Sequence, residues 1–293
     1  MTFNPMLNKT TPLFLLLGLL TTSSLFAQKQ FTLEELKAHP DFEVSVEANG
    51  AYSGHSIILK IQSDYRKNVE VLIPAGTVFF TSDDGDQILI IVEDEVLALN
   101  KNQTRRKTLD GYCTEASDGI PDAEMAMTFM PTQREQLQQL ANFLNTHKGF
   151  DDHAIQEAVW CVSDQHPLSY IYSENAEKSK ALTQFVAELT GQERPWNQVK
   201  RVQSASGGYI VSNPVLVSGR VEFATTKATT LKSKIIDADG NLIVDNPEST
   251  NLPKTNSARL NFRLSVSGWA AGTYYVVYYD QDDAVILKKG FEI

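Results

Sequence analysis

The two cysteines are the residues of this sequence best suited to covalent chemistry. Cys113 lies in Leu109-Asp110-Gly111-Tyr112-Cys113-Thr114-Glu115 and Cys161 in Ala158-Val159-Trp160-Cys161-Val162-Ser163-Asp164. A cysteine sulfur can attack a carbonyl, and two of them can oxidise to a disulfide. A Cys113–Cys161 bond would close a loop of about 48 residues and constrain the unfolded chain by roughly 4 kcal/mol. A cysteine hydrolase would instead need a base in hydrogen-bond reach of one sulfur. The candidates are His147, His153 and His166, and none stands in a motif that places it, so no catalytic residue is assigned.

Other chemistry-bearing groups have plainer readings. Asp83, Asp84 and Asp86 lack the closing glutamate of a calcium loop and read as turn acids, as do Asp237, Asp239, Asp280, Asp282 and Asp283. No metal and no other cofactor is expected. Tyr274, Tyr275, Tyr278 and Tyr279 straddle the two faces of one strand. Their outer pair could stack on a sugar or on a neighbouring domain. Arg105-Arg106-Lys107 reads as a solvated turn.

The elements that must position the sulfurs follow from periodicity. Phe31 to His39 reads as a short helix ended by Pro40. A period of two then marks strands over 43–48, 57–62, 69–73, 77–81, 87–99 and 107–113, with the turn 82–86 between the fourth and fifth. Three helices follow. Leu137, Leu140, Ala141 and Leu144 form one apolar stripe, with Thr132 and Glu135 as a capping box. Ile155, Ala158, Val159 and Val162 form the second, capped by Asp151 or Asp152, and Leu182, Phe185, Val186 and Leu189 the third, closed by Gly191. Tyr112-Cys113 therefore ends a strand while Gln156, Trp160 and Cys161 ride a helix. Residues 195–208, with Ser204-Ala205-Ser206-Gly207-Gly208, read as a linker. Beyond it the pattern is all strand, with a strong hairpin signal at Asp239-Gly240. The expected architecture is an α+β domain at 28–194, an antiparallel β-sandwich plus three short helices, followed by an immunoglobulin-like β-sandwich at 209–293.

Two resemblances bear on function. Tyr112-Cys113 together with Ile155-Gln156-Glu157-Ala158-Val159-Trp160 resembles the paired signatures of bacterial surface thioester domains, an aromatic-Cys pair and a helix carrying Thr-Gln-x-Ala-(Ile/Val)-Trp. The resemblance implies a bond between a cysteine sulfur and a glutamine side-chain carbonyl, here Cys113 with Gln156 or with a glutamine from another segment. Tyr112 and Trp160 would support it. Such a bond acylates amines on a partner and gives covalent adhesion. The stretch 209–293 resembles the type A sorting domain of the Bacteroidota type IX secretion system, through Asn213-Pro214, Gly219, the hairpin at Asp237 to Gly240, Trp269, Gly272-Thr273-Tyr274 and Lys288-Lys289. It implies delivery to the cell surface or medium. A plain immunoglobulin-like module is the alternative.

The first residues agree with export. Lys9, an apolar run from Leu13 to Leu20 and a polar stretch ending at Ala27 read as a signal peptide over 1–27. The run is too short to span a bilayer. Cleavage removes one base and no acid from a chain of net charge −10. A polyanion is repelled by nucleic acid and by anionic headgroups, so neither is an expected partner, and no membrane insertion is expected after cleavage. The expected protein is a non-enzymatic, exported binding or adhesion molecule at the cell surface. Its partner would be a surface protein or glycan, and its fold would be held by a Cys113–Cys161 disulfide. The alternatives are the covalent adhesin with a Cys113–Gln156 thioester and the cysteine hydrolase.

Overall fold

The computed structural model describes residues 29–293, so the expected signal peptide lies outside the described residues. Strand β1 (Lys29–Thr32) runs directly into helix α1 (Leu33–Ala38). Thr32 starts that helix with a capping box: its hydroxyl accepts from the Glu35 N–H, and the Glu35 carboxylate accepts from the Thr32 N–H. Eight further strands and the helices follow in the expected order, except that the single strand expected over 107–113 is two, one ending at Asp110 and one at Tyr112–Cys113, which join different sheets. The strands are β2 (Phe42–Ala48), β3 (His55–Ser63), β4 (Val69–Ile73), β5 (Thr77–Phe80), β6 (Leu89–Ile90), β7 (Glu95–Leu99), β8 (Thr104–Asp110) and β9 (Tyr112–Cys113). The long loop after Cys113 returns as β10 (Thr128–Pro131).

They form three small sheets, in the orders β2-β3-β8, β1-β4-β7 and β10-β5-β6-β9. All the pairings are antiparallel except β1 with β4, which is parallel. The apolar stretch expected over 87–99 breaks at Asp94, whose carboxylate accepts from the Ala75 N–H while its own N–H donates to Asn145. A side chain that takes over backbone bonding in this way ends a ladder.

Helices α2 (Glu135–Thr146), α3 (Asp152–Ser163) and α4 (Ala176–Thr190) cover the third sheet. The expected capping box at Thr132 does not form. Helix α2 starts at Glu135, and the Thr132 hydroxyl accepts from the Arg134 N–H in the preceding turn. Asp151 caps α3 through the Ala154 N–H at 2.9 Å, and Gly191 ends α4 in the left-handed region that glycine tolerates. Because α3 is enclosed by the sheet on one side and by its neighbouring helices on the other, every residue from Ala154 to Val162 is buried.

Two apolar cores result, one between the sheets and one between the third sheet and the helices. Successive residues of a strand face opposite ways. Accordingly Tyr112 belongs to the helical core and Cys113 to the sheet core.

The C-terminal part is an all-β sandwich of strands β11 (Asn197–Ser206), β12 (Tyr209–Thr225), β13 (Thr229–Asp237), β14 (Leu242–Leu252), β15 (Thr255–Ser265), β16 (Thr273–Tyr279) and β17 (Val285–Glu292). A three-stranded sheet, β11-β12-β15, faces a four-stranded one, β14-β13-β16-β17, with all pairings antiparallel. The expected linker is corrected here. Most of 195–208 is strand β11, joined to β12 by Gly207 and Gly208, both at positive φ. Two consecutive residues of that conformation make the two-residue turn whose twist matches a hairpin. The Asp237–Gly240 hairpin forms as expected, with the Asp237 carboxylate accepting from the Asn241 N–H. Tyr274 and Tyr278 enter the sandwich core, while Tyr275 and Tyr279 face outward beneath Lys288 and Lys234.

Candidate functional site

The two sulfurs do not meet. Both cysteines are free thiols, so the expected disulfide is absent. The reason is the strand geometry: Cys113 points into the sheet core, whereas Cys161 sits in the helical core with its sulfur 3.6 Å from the Pro167 carbonyl. Burial, and then the charge of Glu157, pushes the Cys161 thiol well above the ordinary range.

Cys113 has richer surroundings. Strand β9 pairs with β6 in the register Leu89↔Cys113. Gln87 lies two residues before Leu89, on the same face, which makes it a diagonal cross-strand neighbour of Cys113. Its side-chain oxygen is in direct contact with the Cys113 sulfur. The other end of that amide is fixed too: Gln87 Nε2 donates to the Asp118 carbonyl at 2.8 Å, and the Gln87 backbone N–H donates to the Gly119 carbonyl at 2.9 Å. Hydrogen bonding of the nitrogen to a carbonyl decides which end of the amide is oxygen. Cys113 Sγ also donates to the Tyr52 carbonyl, 3.0 Å away.

Gln156 plays a different part from the one expected of it. Its Oε1 accepts from the Cys113 backbone N–H at 3.0 Å, and its Nε2 donates to the Cys113 carbonyl at 2.8 Å. This pair of bonds brackets the cysteine backbone and leaves the Gln156 amide away from the sulfur. The glutamine side chain that touches the Cys113 sulfur is that of Gln87 rather than Gln156. The helix motif nonetheless lies against the strand motif, and Trp160 closes the sheet core beside them. Tyr112, on the other face, anchors β9 to the start of α3 by donating to Asp152 at 2.8 Å. Burial, and then the Asp152 charge, raises the Tyr112 phenol far above its ordinary range.

Glu115 ties the two strands together next to the site. Its carboxylate accepts from the Ile88 N–H at 2.9 Å and from the Thr114 hydroxyl at 2.7 Å. Burial raises its carboxyl despite those bonds. Cys113, Gln87 and Gln156 are all without exposure. Burial, and then the charge of Glu115, pushes the Cys113 thiol well above the usual value. The Gln87 amide is thus held against a buried sulfur, in an arrangement enclosed on all sides.

The histidines lie elsewhere. His147 ends α2 and stacks on Phe143, His153 is in the first turn of α3, and His166 approaches Glu157 at 3.5 Å. The polar partners of both sulfurs are carbonyl oxygens rather than imidazoles. Asp83 and Asp86 brace their own turn, accepting from the Gly85 N–H and the Thr81 hydroxyl. Gln87, Tyr52 and Glu115 are the site residues that sequence reasoning passed over. The signal for Gln87 was its position, two residues ahead of an apolar strand that ends up beside Cys113.

No family model matches the chain, and no curated protein matches it. Among solved structures it is similar to red sea bream transglutaminase, at 8% identity and a TM-score of 0.20. That match covers 89% of this chain and 32% of the transglutaminase. It is also similar to a Kluyveromyces marxianus beta-glucosidase bound to glucose, at 9% identity and a TM-score of 0.20, over 81% of this chain and 44% of the other. The chain thus spans less than half the length of either structure.

Proposed function

We propose that the chain is a single-turnover acyl donor, carrying an internal thioester between Cys113 and Gln87 that joins it covalently to an amine on a partner surface. One observation carries this reading: the buried Gln87 amide lies with its oxygen against the Cys113 sulfur and its nitrogen held by the Asp118 carbonyl. In formation, sulfur bonds to the Gln87 Cδ, the C–N bond breaks, and the thiol proton leaves with the nitrogen as ammonia. In use, an amine adds to the same carbon, the C–S bond breaks, an amide forms, and the proton returns to sulfur. Gln156 holds the Cys113 backbone still through both steps, and the enclosed pocket keeps water from the acyl carbon. The Cys113–Gln87 placement favours covalent over merely non-covalent adhesion. Export and surface delivery belong to the same proposal, supported by the leader-like residues 1–27 and the sorting-domain resemblance of 209–293.

Intact-mass measurement of the purified protein tests the reading. The expected mass is that of the chain less one ammonia, restored and increased by methylamine treatment. Cys113→Ala and Gln87→Ala should each abolish both changes, while Cys161→Ala leaves them in place. A mass lower by two hydrogens and restored by reductant would refute the thioester in favour of a disulfide.

A further inference from the structure

Helix α3 carries two consecutive polar side chains in full burial, and they serve different parts of the molecule. Gln156 brackets Cys113. Glu157, 1% exposed, turns instead to the C-terminal sandwich and accepts from Gln203 Nε2 on β11 at 2.7 Å. At the tip of the same hairpin, the Gly208 carbonyl accepts from the Ile120 N–H at 2.7 Å. Ile120 follows directly on Asp118 and Gly119, whose carbonyls hold the side chain and backbone of Gln87. Two residues past the turn, Ile210 packs against the core that contains Cys113. Farther from the tip along the same strand, Arg201 lies over the Tyr170 ring at 4.4 Å, and Gln198 donates to the Ile171 carbonyl at 3.0 Å. Both halves of the reacting pair are thus backed by one β-hairpin of the other domain.

A buried carboxyl group at a domain seam needs its hydrogen-bond partners, since a polar group left unpaired in the interior is costly. Here Gln203 donates the hydrogen bond that one Glu157 oxygen accepts, while the second oxygen has no hydrogen bond and lies 3.5 Å from His166 Nδ1. Acyl transfer between held groups is in turn sensitive to displacements of a fraction of an ångström.

From these contacts we infer that the β11–β12 hairpin is a clamp on the thioester site, with Gln203 a positioning residue that acts on Cys113 through Glu157 and α3, and the Gly208 carbonyl a second hold that acts on Gln87 through the 118–120 segment. This rests on the thioester reading. With the sandwich docked, Cys113 and Gln87 stay in register and the bond forms and persists. With the hairpin displaced, water adds to the acyl carbon, the C–S bond breaks, and a Cys113 thiol and a glutamate at position 87 result.

The test uses the full chain. Gln203→Glu sets a second carboxylate against Glu157, and the double variant Glu157→Gln with Gln203→Glu restores the donor–acceptor pair in reverse. Thioester content is read by intact mass, hydrolysis by its loss with time, and folding by thermal unfolding. For folded Gln203→Glu, hydrolysis should accelerate about tenfold, the equivalent of about 1.4 kcal/mol, and the double variant should return it to the wild-type rate. A folded Gln203→Glu chain with wild-type content and wild-type hydrolysis would overturn the clamp while leaving the thioester standing. A wild-type chain that has lost no ammonia would overturn both. If Gln203→Glu does not fold, Gln203→Ala decides by the same two readings.

Discussion

Replacing Gln156 by leucine isolates the bracket on Cys113, because leucine matches the side chain in size and removes both polar ends. The wild-type side chain has no exposure and makes two hydrogen bonds, to the N–H and the carbonyl of the same residue. Each is worth about 1 kcal/mol net, and a buried carbonyl left without that donor adds up to about 2 kcal/mol. The Cys113 N–H keeps its bond to the Tyr52 carbonyl at 3.2 Å, so the donor side is not orphaned. The expected loss is therefore about 2–4 kcal/mol, read as a lower urea midpoint at unchanged slope. A second effect follows from the same geometry: a loosened Cys113 should carry less thioester by intact mass. Gln184→Leu serves as the control, since it removes only an exposed helical pair with Glu188, worth less than about 0.5 kcal/mol. If Gln156→Leu shifts the midpoint no more than that control, the bracket contributes nothing and the account of the site is wrong.

Two further outcomes are expected. Trp160→Ala should cost about 3–5 kcal/mol in the same denaturation assay, because the ring is fully buried beside the core that holds Cys113. Glu115→Gln should change how stability depends on pH: burial raises the wild-type carboxyl, so its favourable contribution is complete below the ordinary glutamate range and is lost as pH rises through the raised value. The difference between wild type and Glu115→Gln should move in that direction across the window just above the ordinary range, and a difference that does not vary with pH would contradict it.

The readable parts of the sequence were those set by local chemistry. Asp151 and the apolar spacing of Ile155, Ala158, Val159 and Val162 specify α3 within a dozen residues, and Asp237 to Gly240 specify a hairpin within four. Gln87 was not readable in the same way, because its role depends on the register of two two-residue strands separated by the whole of β7 and β8. The direction of Cys161 was hidden by burial on all sides of α3, which leaves no exposed face from Ala154 to Val162 to orient the helix. Residues 195–208 misled through composition: serine, glycine and alanine imitate a linker, although Gly207-Gly208 between two extended runs is itself a hairpin turn.

Strand β12 extends over 17 residues, about 56 Å at the rise of an extended chain. Its first residues lie by the N-terminal domain and its last at the far end of the sandwich, with β11 and β15 as flanking rails. A pull along that axis loads both ladders in shear, so many backbone bonds must fail together instead of peeling one by one. Tension entering at the distal end would be carried along a stiff girder to the contacts that the hairpin makes with Glu157 and Ile120.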